Sequence, residues 1–554
     1  MKRRDFTLLA GGSSLAIALT GCVDAGQDEA SGSSTGGSGA TPETITVAAS
    51  AIASSYDWDA GGVYTNENFE TNQNTQANLI RNPYVDTGDQ GLQTQDYANF
   101  EGVLCEEENP YTVSDDGLTY TFNLRQDVLS QAGNPFTADD VMWSFERKYN
   151  VPTSPTPGVL SPYFEGLSQI RRVDDFHVSF TVKQPSDGFT LLGVLANLYG
   201  RIYDSTVLKA NATPDDPYAT AWSKVNSGWG YGAYTVESMT PNTELVLVAN
   251  PNYVFGEPEV KRVVIKQVTD PGTRVSMLQS GDIQFAEQLR PADQALFLDM
   301  EGFTAPTFEH PIEFLDLAAV TNKAPFDDVA VRQALVWAVP YSEIVKQVYS
   351  GRAVEAQGLI NPQTEGYTLD GIEKYSYDPE KAQQILSDAG YTEPVAFTLS
   401  VANNVPDAVD TAVLIKSYAE SAGFAVTVQQ EQSAAFAQGR SGGTFQALLY
   451  RTRAQTQSPV YSTASWFLPN NNTGNVPRWE DPEFYRLVDE GRAIADPLSE
   501  EAGEKWNEIT RYVMSQAPET ALVMIQPSMV FTSSLTGYAY RTDSTIDYAR
   551  ITAS

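Results

Sequence analysis

Cysteine and histidine are almost missing from this chain of 554 residues, which has two of each. Neither His177 nor His310 sits in an HExxH, CxxC or other metal-ligand spacing, so no dedicated zinc site and no Ser-His-Asp triad is expected. His177, within Phe176-His177-Val178-Ser179-Phe180, alternates like a strand residue and reads as structural. If Cys22 is otherwise engaged, Cys105 stands alone, which excludes an intramolecular disulfide and makes it a small buried hydrophobe. Basic residues are scarce as well: 35 Lys and Arg face 70 Asp and Glu, a formal net charge of −35. That balance excludes nucleic acid as a partner. A Walker A phosphate loop is absent, so the chain does not read as an ATP-driven motor. Its main uncharged run, Thr7 to Thr20, is about 14 residues long and falls short of the ~20 needed to span a bilayer. Metal and cofactor are both expected to be absent.

What is there begins at the N-terminus. Arg3 and Arg4, followed by Asp5 and Phe6, precede that apolar run, and Gly21 and Cys22 close it. The order is a charged n-region, a short h-region and a small-residue cleavage site. The twin arginine is similar to a Tat export signal, and Leu19-Thr20-Gly21-Cys22 resembles a bacterial lipobox, whose cysteine becomes the lipidated N-terminus. Residues 1–21 are therefore expected to be a Tat-type lipoprotein signal peptide, and residues 22–43 a lipidated Cys22 and a flexible tether. The tether, VDAGQDEASGSSTGGSGATPE after the cysteine, has no aromatic residue and cannot offset the entropy of ordering. Its GxSxG pattern, Gly32 to Gly36, lacks the flanking strand and helix of a nucleophile elbow. Without residues 1–21 the chain carries 32 basic and 69 acidic residues, a net charge of −37. The lipid is then the only expected membrane attachment.

With 42% hydrophobic and 11% aromatic residues, the remainder can bury more than one core, so at least two domains are expected. Thr137-Ala138-Asp139-Asp140 reads as a helix-opening capping box. Asp270-Pro271 opens a helix that stops at Gly281, and Asp378-Pro379-Glu380 opens one that stops at Gly390. Strands are expected at residues 263–268, 283–287, 395–401, 425–429 and 445–450, with a helix over about 407–421. Strand, helix and strand in succession imply a parallel sheet covered by helices. Ligands bind such sheets outside the carboxyl ends of the strands, which points to Asn403 and Asn404 and to Tyr450, Arg451 and Arg453.

Several blocks carry a family resemblance. Asp116-Gly117-Leu118-Thr119-Tyr120-Thr121-Phe122-Asn123-Leu124-Arg125, followed by Thr137-Ala138-Asp139-Asp140-Val141, resembles a signature of family 5 extracellular solute-binding proteins, the receptors of peptide, nickel and related ABC importers. Ser227 to Tyr234 and Asn250-Pro251-Asn252-Tyr253 follow in the family's order. So do Asn322 to Leu335, with Pro325-Phe326-Asp327-Asp328 and Val331-Arg332-Gln333-Ala334-Leu335, and Asp378-Pro379-Glu380-Lys381-Ala382 with Ala389-Gly390-Tyr391. The resemblance implies an α/β, two-lobed periplasmic-binding-protein-like fold with a hinge and an extra subdomain in the first lobe. Carried over, lobe I takes residues 44–309, with the extra subdomain at about 84–220. Lobe II takes 310–519, residues 520–554 return to lobe I, and the hinge lies near Glu309 to Phe314 and Thr520 to Gln526.

At the cleft the chain departs from the peptide-binding pattern. Where such members carry W-x-x-D-x-x-DP, with the Asp pairing to a peptide's α-ammonium, this chain has Thr452 for the Trp and Gln455 for the Asp. Arg451 and Arg453 stand there instead, and strand alternation puts them on one side. A guanidinium fork suits a carboxylate or phosphate, although pairing with the chain's own acidic residues is the plainer reading. Tyr56 and Trp58 after the first strand, and Trp466 and Phe467 after the arginine loop, are the aromatic candidates for ligand contact. Trp229 and Tyr231 read as turn packing.

The function so implied is that of an exported lipoprotein, anchored at the cell envelope on the periplasmic side or the outer face of the cytoplasmic membrane. It would be a monomer that captures a peptide or peptide-like solute and delivers it to the permease subunits of an ABC importer, with no enzyme activity. The alternatives are a receptor for a non-peptide anion such as an acidic or phosphorylated sugar derivative, a signalling receptor, and a carboxylate-based glycosidase.

Overall fold

The structure, a computed structural model, describes residues 42–61, 65–88, 91–364, 366–454, 456–465, 467–468 and 474–553. The expected signal peptide, Cys22 and nearly all of the expected tether lie outside the described residues, as do Gln455 and Trp466.

One sheet forms around the first strand, Thr44–Ala49, where Ile45 and Val47 are fully buried. That strand runs parallel to Arg262–Gln267 on one side and to Phe285–Ala286 on the other. The helix linking those two neighbours, Pro271–Ser280, is set by local chemistry. The Asp270 carboxylate accepts from the Thr273 amide at 2.7 Å, Pro271 fills the first turn, and Gly281 turns the chain out at φ 81°. The full order is Tyr234–Thr240, Glu244–Ala249, Arg262–Gln267, Thr44–Ala49, Phe285–Ala286, Val530–Thr532, Phe303–Thr304.

A second sheet has the order Ala353–Glu355, Glu519–Ile525, Glu313–Ala319, Ala447–Arg453, Val395–Ala402, Phe424–Glu431. Val395–Ala402 runs parallel to both of its neighbours, as strand-helix-strand spacing predicts. Neither sheet is purely parallel, however. Tyr234–Thr240 and Glu244–Ala249 pair antiparallel in the first sheet, and Glu313–Ala319 runs antiparallel to both its neighbours in the second. Tyr234–Ala249 is a hairpin, and Glu313–Ala319 enters from the other sheet, so neither arrives by the helical crossover that parallel pairing needs.

The chain passes between the two sheets twice, after Phe303–Thr304 and after Glu519–Ile525. The return strand Glu519–Ile525 thus belongs to the second sheet, and the passage begins at Gln526 rather than at Thr520. Gln526 ties the two passages together: its Oε1 accepts from the Phe308 amide at 2.9 Å and its Nε2 donates to the Phe308 carbonyl at 2.7 Å. Arg352, 1% exposed, clamps the same place. Its guanidinium donates to the Pro306 carbonyl and Thr307 Oγ1, both at 2.6 Å, and to Gln294 Oε1 at 3.2 Å.

A four-stranded antiparallel sheet, in the order Tyr111–Val113, Thr119–Asn123, His177–Thr181, Ile170–Arg172, builds the region expected as the extra subdomain. His177 pairs at 2.8 Å with Asp174 on its surface. Cys105 is fully buried, with burial pushing its thiol well up. Phe122, Phe145 and Phe180 form a core that continues into Phe467, Trp479, Phe484 and Trp506, residues expected in lobe II. An ion pair crosses this joint: Arg492 Nε and Nη2 reach the two oxygens of Asp187 at 2.9 and 2.7 Å. Among the described residues no helix is long and apolar enough to cross a membrane.

Candidate functional site

A cavity of about 760 Å³ lies where the strand ends of the two sheets come together, with the second passage along one side of it. From the first sheet, the chain leaving Thr44–Ala49 contributes Ser50, and the chain leaving Phe285–Ala286 contributes Glu287 and Gln288. The helix Asn66–Thr75 adds Asn66, Glu67 and Glu70. From the second sheet come Glu313 and Arg451, and the turn after Val395–Ala402 presents Asn404 with Asp407 and Asp410 of the helix Pro406–Ala419. This is the position that the carboxyl-end rule assigns to a ligand.

Gln288 organises the first wall. It adopts the left-handed region at φ 51°, a strained conformation for a residue with a side chain. So held, its Oε1 accepts from the Ser50 amide at 2.7 Å while its Nε2 donates to Glu67 Oε1 at 2.7 Å. Behind Glu67, the carboxyls of Glu70 and Glu287 lie together. Burial pushes Glu70 up to about 7, and burial together with the neighbouring Glu70 carboxylate pushes Glu287 well above the usual range. Two adjacent buried carboxyls share a proton for this reason. Tyr548 donates to Glu70 from behind, and the Ile546 amide does so at 3.2 Å.

The opposite wall is ionic and already satisfied. Arg451 donates to Glu313 Oε1 and Asp407 Oδ2, each at 2.8 Å, and these carboxylates outweigh the cost of burial in holding it charged. Tyr349 donates to the same Asp407 oxygen at 2.6 Å. The expectation that Arg451 and Arg453 grip an anion together meets a different arrangement. Arg453 reaches across to Asn66 Oδ1 at 2.9 Å and lies 5.7 Å from the Phe69 ring centroid, so it joins the two walls.

Several expected site residues are placed elsewhere. Trp58 is 1% exposed and packs edge-on to Phe69 at 5.8 Å and beside Tyr199 at 5.5 Å. The reason lies in its neighbours: Asp57 pairs with Arg147, and Asp59 with Lys148 at 3.2 Å, all fully buried, which draws the segment into the core. Tyr56 is half-buried against the core of the first sheet and does not line the cavity. Phe467 packs on Trp479 and Phe484. Tyr450 points away from Arg451, under the guanidinium of Arg440 at 4.4 Å. Asn403 is exposed outside the cavity, its amide spent on the Glu431 carbonyl; its neighbour Asn404 lines the wall. Among the described residues no group of three His, Cys, Asp or Glu is placed to hold a metal ion. Sequence reasoning missed Glu67, Glu70, Glu287, Gln288, Glu313, Asp407 and Asp410. The available signal was Glu287 itself, the last residue of an expected strand.

Comparison with known proteins gives consistent matches. Residues 100–474 match the model of bacterial extracellular solute-binding proteins, family 5. The dipeptide-binding protein of Escherichia coli (strain K12) is 31% identical over 305 residues, 50% of this chain and 54% of that protein. Heme-binding protein A of Haemophilus influenzae is 29% identical over 453 residues, 76% of this chain and 78% of that protein. Among solved structures, the periplasmic binding protein DppA from Helicobacter pylori in complex with the peptide STSA superposes with a TM-score of 0.75 at 19% identity. That match covers 93% of this chain and 98% of DppA. The fold is therefore the two-lobed α/β fold of periplasmic binding proteins.

Proposed function

This chain belongs to the bacterial extracellular solute-binding proteins of family 5, and from that premise we propose that it captures a peptide or peptide-like solute for an ABC importer. The observation that carries the reading is the 760 Å³ cavity, walled by strand ends of both sheets. Such a cavity encloses its ligand when two bodies rotate about the passages that join them. The solute-loaded chain then docks on membrane permease subunits, and a separate ATPase supplies the energy. The residues proposed to meet solute are Asn404 and Arg451, with the acidic wall from Glu67 to Glu287 opposite them; Gln455 and Trp466 remain candidates from the sequence.

Lobe I takes residues 44–309, lobe II 310–525, since Glu519–Ile525 pairs within the second sheet, and the return segment 526–554, with export by a Tat-type signal over residues 1–21 and lipid on Cys22. The chain works as a monomer held at the envelope by that lipid. The anionic alternative has less support, because Arg451 is already paired with two carboxylates. Native mass spectrometry of the mature protein, exported in its own host and purified without denaturant, tests the reading. Co-purifying masses that differ by amino-acid residues support it. One discrete non-peptide mass, or release of sugar from glycosides at catalytic rates, overturns it.

A further inference from the structure

The cavity wall is strongly biased in charge. Its ionisable residues apart from tyrosine are the carboxylates Glu67, Glu70, Glu287, Glu313, Asp407 and Asp410, and the arginines Arg290 and Arg451. Both arginines have partners of their own: Arg451 lies between Glu313 and Asp407, and Arg290 holds Asp293 in a two-point grip at 2.7 and 2.9 Å. Arg274, behind the first wall, spends its guanidinium on the carbonyls of Glu287 and Gln288 at 2.9 and 2.7 Å. No cationic side chain bonds to Glu67, Glu70 or Glu287 among the described residues. Glu287 Oε1 is buried, and the only hydrogen-bond partner of this side chain among the described residues is the Glu70 carboxyl. Tyr538 and Tyr540 line the same space, and aromatic faces favour cations.

We propose that the solute carries a cationic group, an ammonium or a guanidinium, which seats against Glu70 and Glu287. The inference rests on the reading of the cavity as the solute site and names the chemical class that fits it. The seat lies on the first wall, built by the helix Asn66–Thr75 and the chain leaving Phe285–Ala286. An incoming positive charge replaces the proton as the group that relieves repulsion between the carboxyls, so uptake of solute and loss of a proton are linked. The groups facing the pair are Glu67 from the same helix, Tyr548 and Tyr538 from the C-terminal segment, and Arg274. Glu67 and the pair's own repulsion favour the proton at low pH; Arg274 works the other way. The affinity for a cation therefore rises with pH as the pair gives up its protons in two steps, beginning at about 7 with Glu70.

Isothermal titration of the full chain with four tripeptide amides tests this. The probes are Ac-Ala-Lys-Ala-NH2, with a side-chain cation; Ala-Ala-Ala-NH2, with only a terminal ammonium; neutral Ac-Ala-Ala-Ala-NH2; and anionic Ac-Ala-Glu-Ala-NH2. At least one cationic probe should bind about tenfold or more tightly than the neutral one, the effect of about one unit of pKa coupling. The two cationic probes tell which amine is taken. Measured in two buffers of different ionisation enthalpy near pH 7, the binding heat should report proton release, and Glu287→Gln should abolish both the release and the preference. A cooperative urea transition of Glu287→Gln, with its midpoint at or above that of wild type, shows that the variant is folded. Equal affinity for the cationic and neutral probes, or preference for the anionic one, overturns the inference and leaves the solute-binding reading standing. Binding of none of the four overturns the peptide reading and this inference with it.

Discussion

Arg492→Met should unfold the joint between the four-stranded region and the helix Pro482–Arg492. Asp187 is fully buried and meets Arg492 at two oxygens, and Arg492 also donates to the Pro162 carbonyl at 2.9 Å. Removing the guanidinium leaves a buried carboxylate whose remaining donor among the described residues is the Gln184 amide, at 3.1 Å. Breaking one side of a buried pair costs about 3–5 kcal/mol, whereas replacing both members by apolar residues of similar volume is close to neutral. Burial already pushes Asp187 above the usual carboxylate range even with its arginine present, so without it Asp187 takes up a proton more readily. The sign follows: protonation removes the uncompensated charge, so the penalty of Arg492→Met is largest near neutral pH and shrinks as pH falls toward about 5. Urea unfolding at both pH values, for Arg492→Met and for Asp187→Leu/Arg492→Met, provides the assay. A single variant within about 1 kcal/mol of wild type, or a double variant as unstable as the single, refutes the claim that the pair is a desolvated ionic joint.

Two more outcomes are expected. Glu519, beside Asp316, Tyr450 and Arg440, is pushed by burial up to about 7, so the folded chain binds this proton more tightly than the unfolded chain does. That stability is present below the ordinary carboxylate range and is lost as pH rises through about 7; Glu519→Gln should therefore exceed wild type by up to about 3 kcal/mol near pH 8 and match it near pH 4, read from urea midpoints. Arg352→Met should cost about 2–4 kcal/mol at any pH between 5 and 8, since it strips donors from buried carbonyl and hydroxyl oxygens and no titrating partner is involved; a cost that changes with pH would contradict that account.

The sequence announced what local chemistry decides. Asp270 with Pro271 and Gly281, and Asp378 with Pro379 and Gly390, mark helix ends because a cap needs only its own neighbours. The parallel trio around Val395–Ala402 was legible for the same reason. The antiparallel strand Glu313–Ala319 was not, since its two partners lie more than a hundred residues away in the chain. The cavity was hardest to read. Among 70 acidic residues nothing local distinguishes Glu70 or Glu287, whose meeting depends on a contact across more than two hundred positions. Trp58 misled because an aromatic residue after a first strand suits a core as well as a cleft, and the decisive partners Arg147 and Lys148 belong to a distant helix.

The Arg352 clamp has a consequence for the medium in which the chain works. All of its hydrogen-bond acceptors are neutral oxygens, so ions in solution have no attraction between opposite charges to weaken there. The pivot should keep its geometry from dilute buffer to brine, while the cavity's preference for positive charge fades as salt is added. On the proposed reading, salinity tunes which solute is taken while the passages between the two sheets keep their hydrogen bonds.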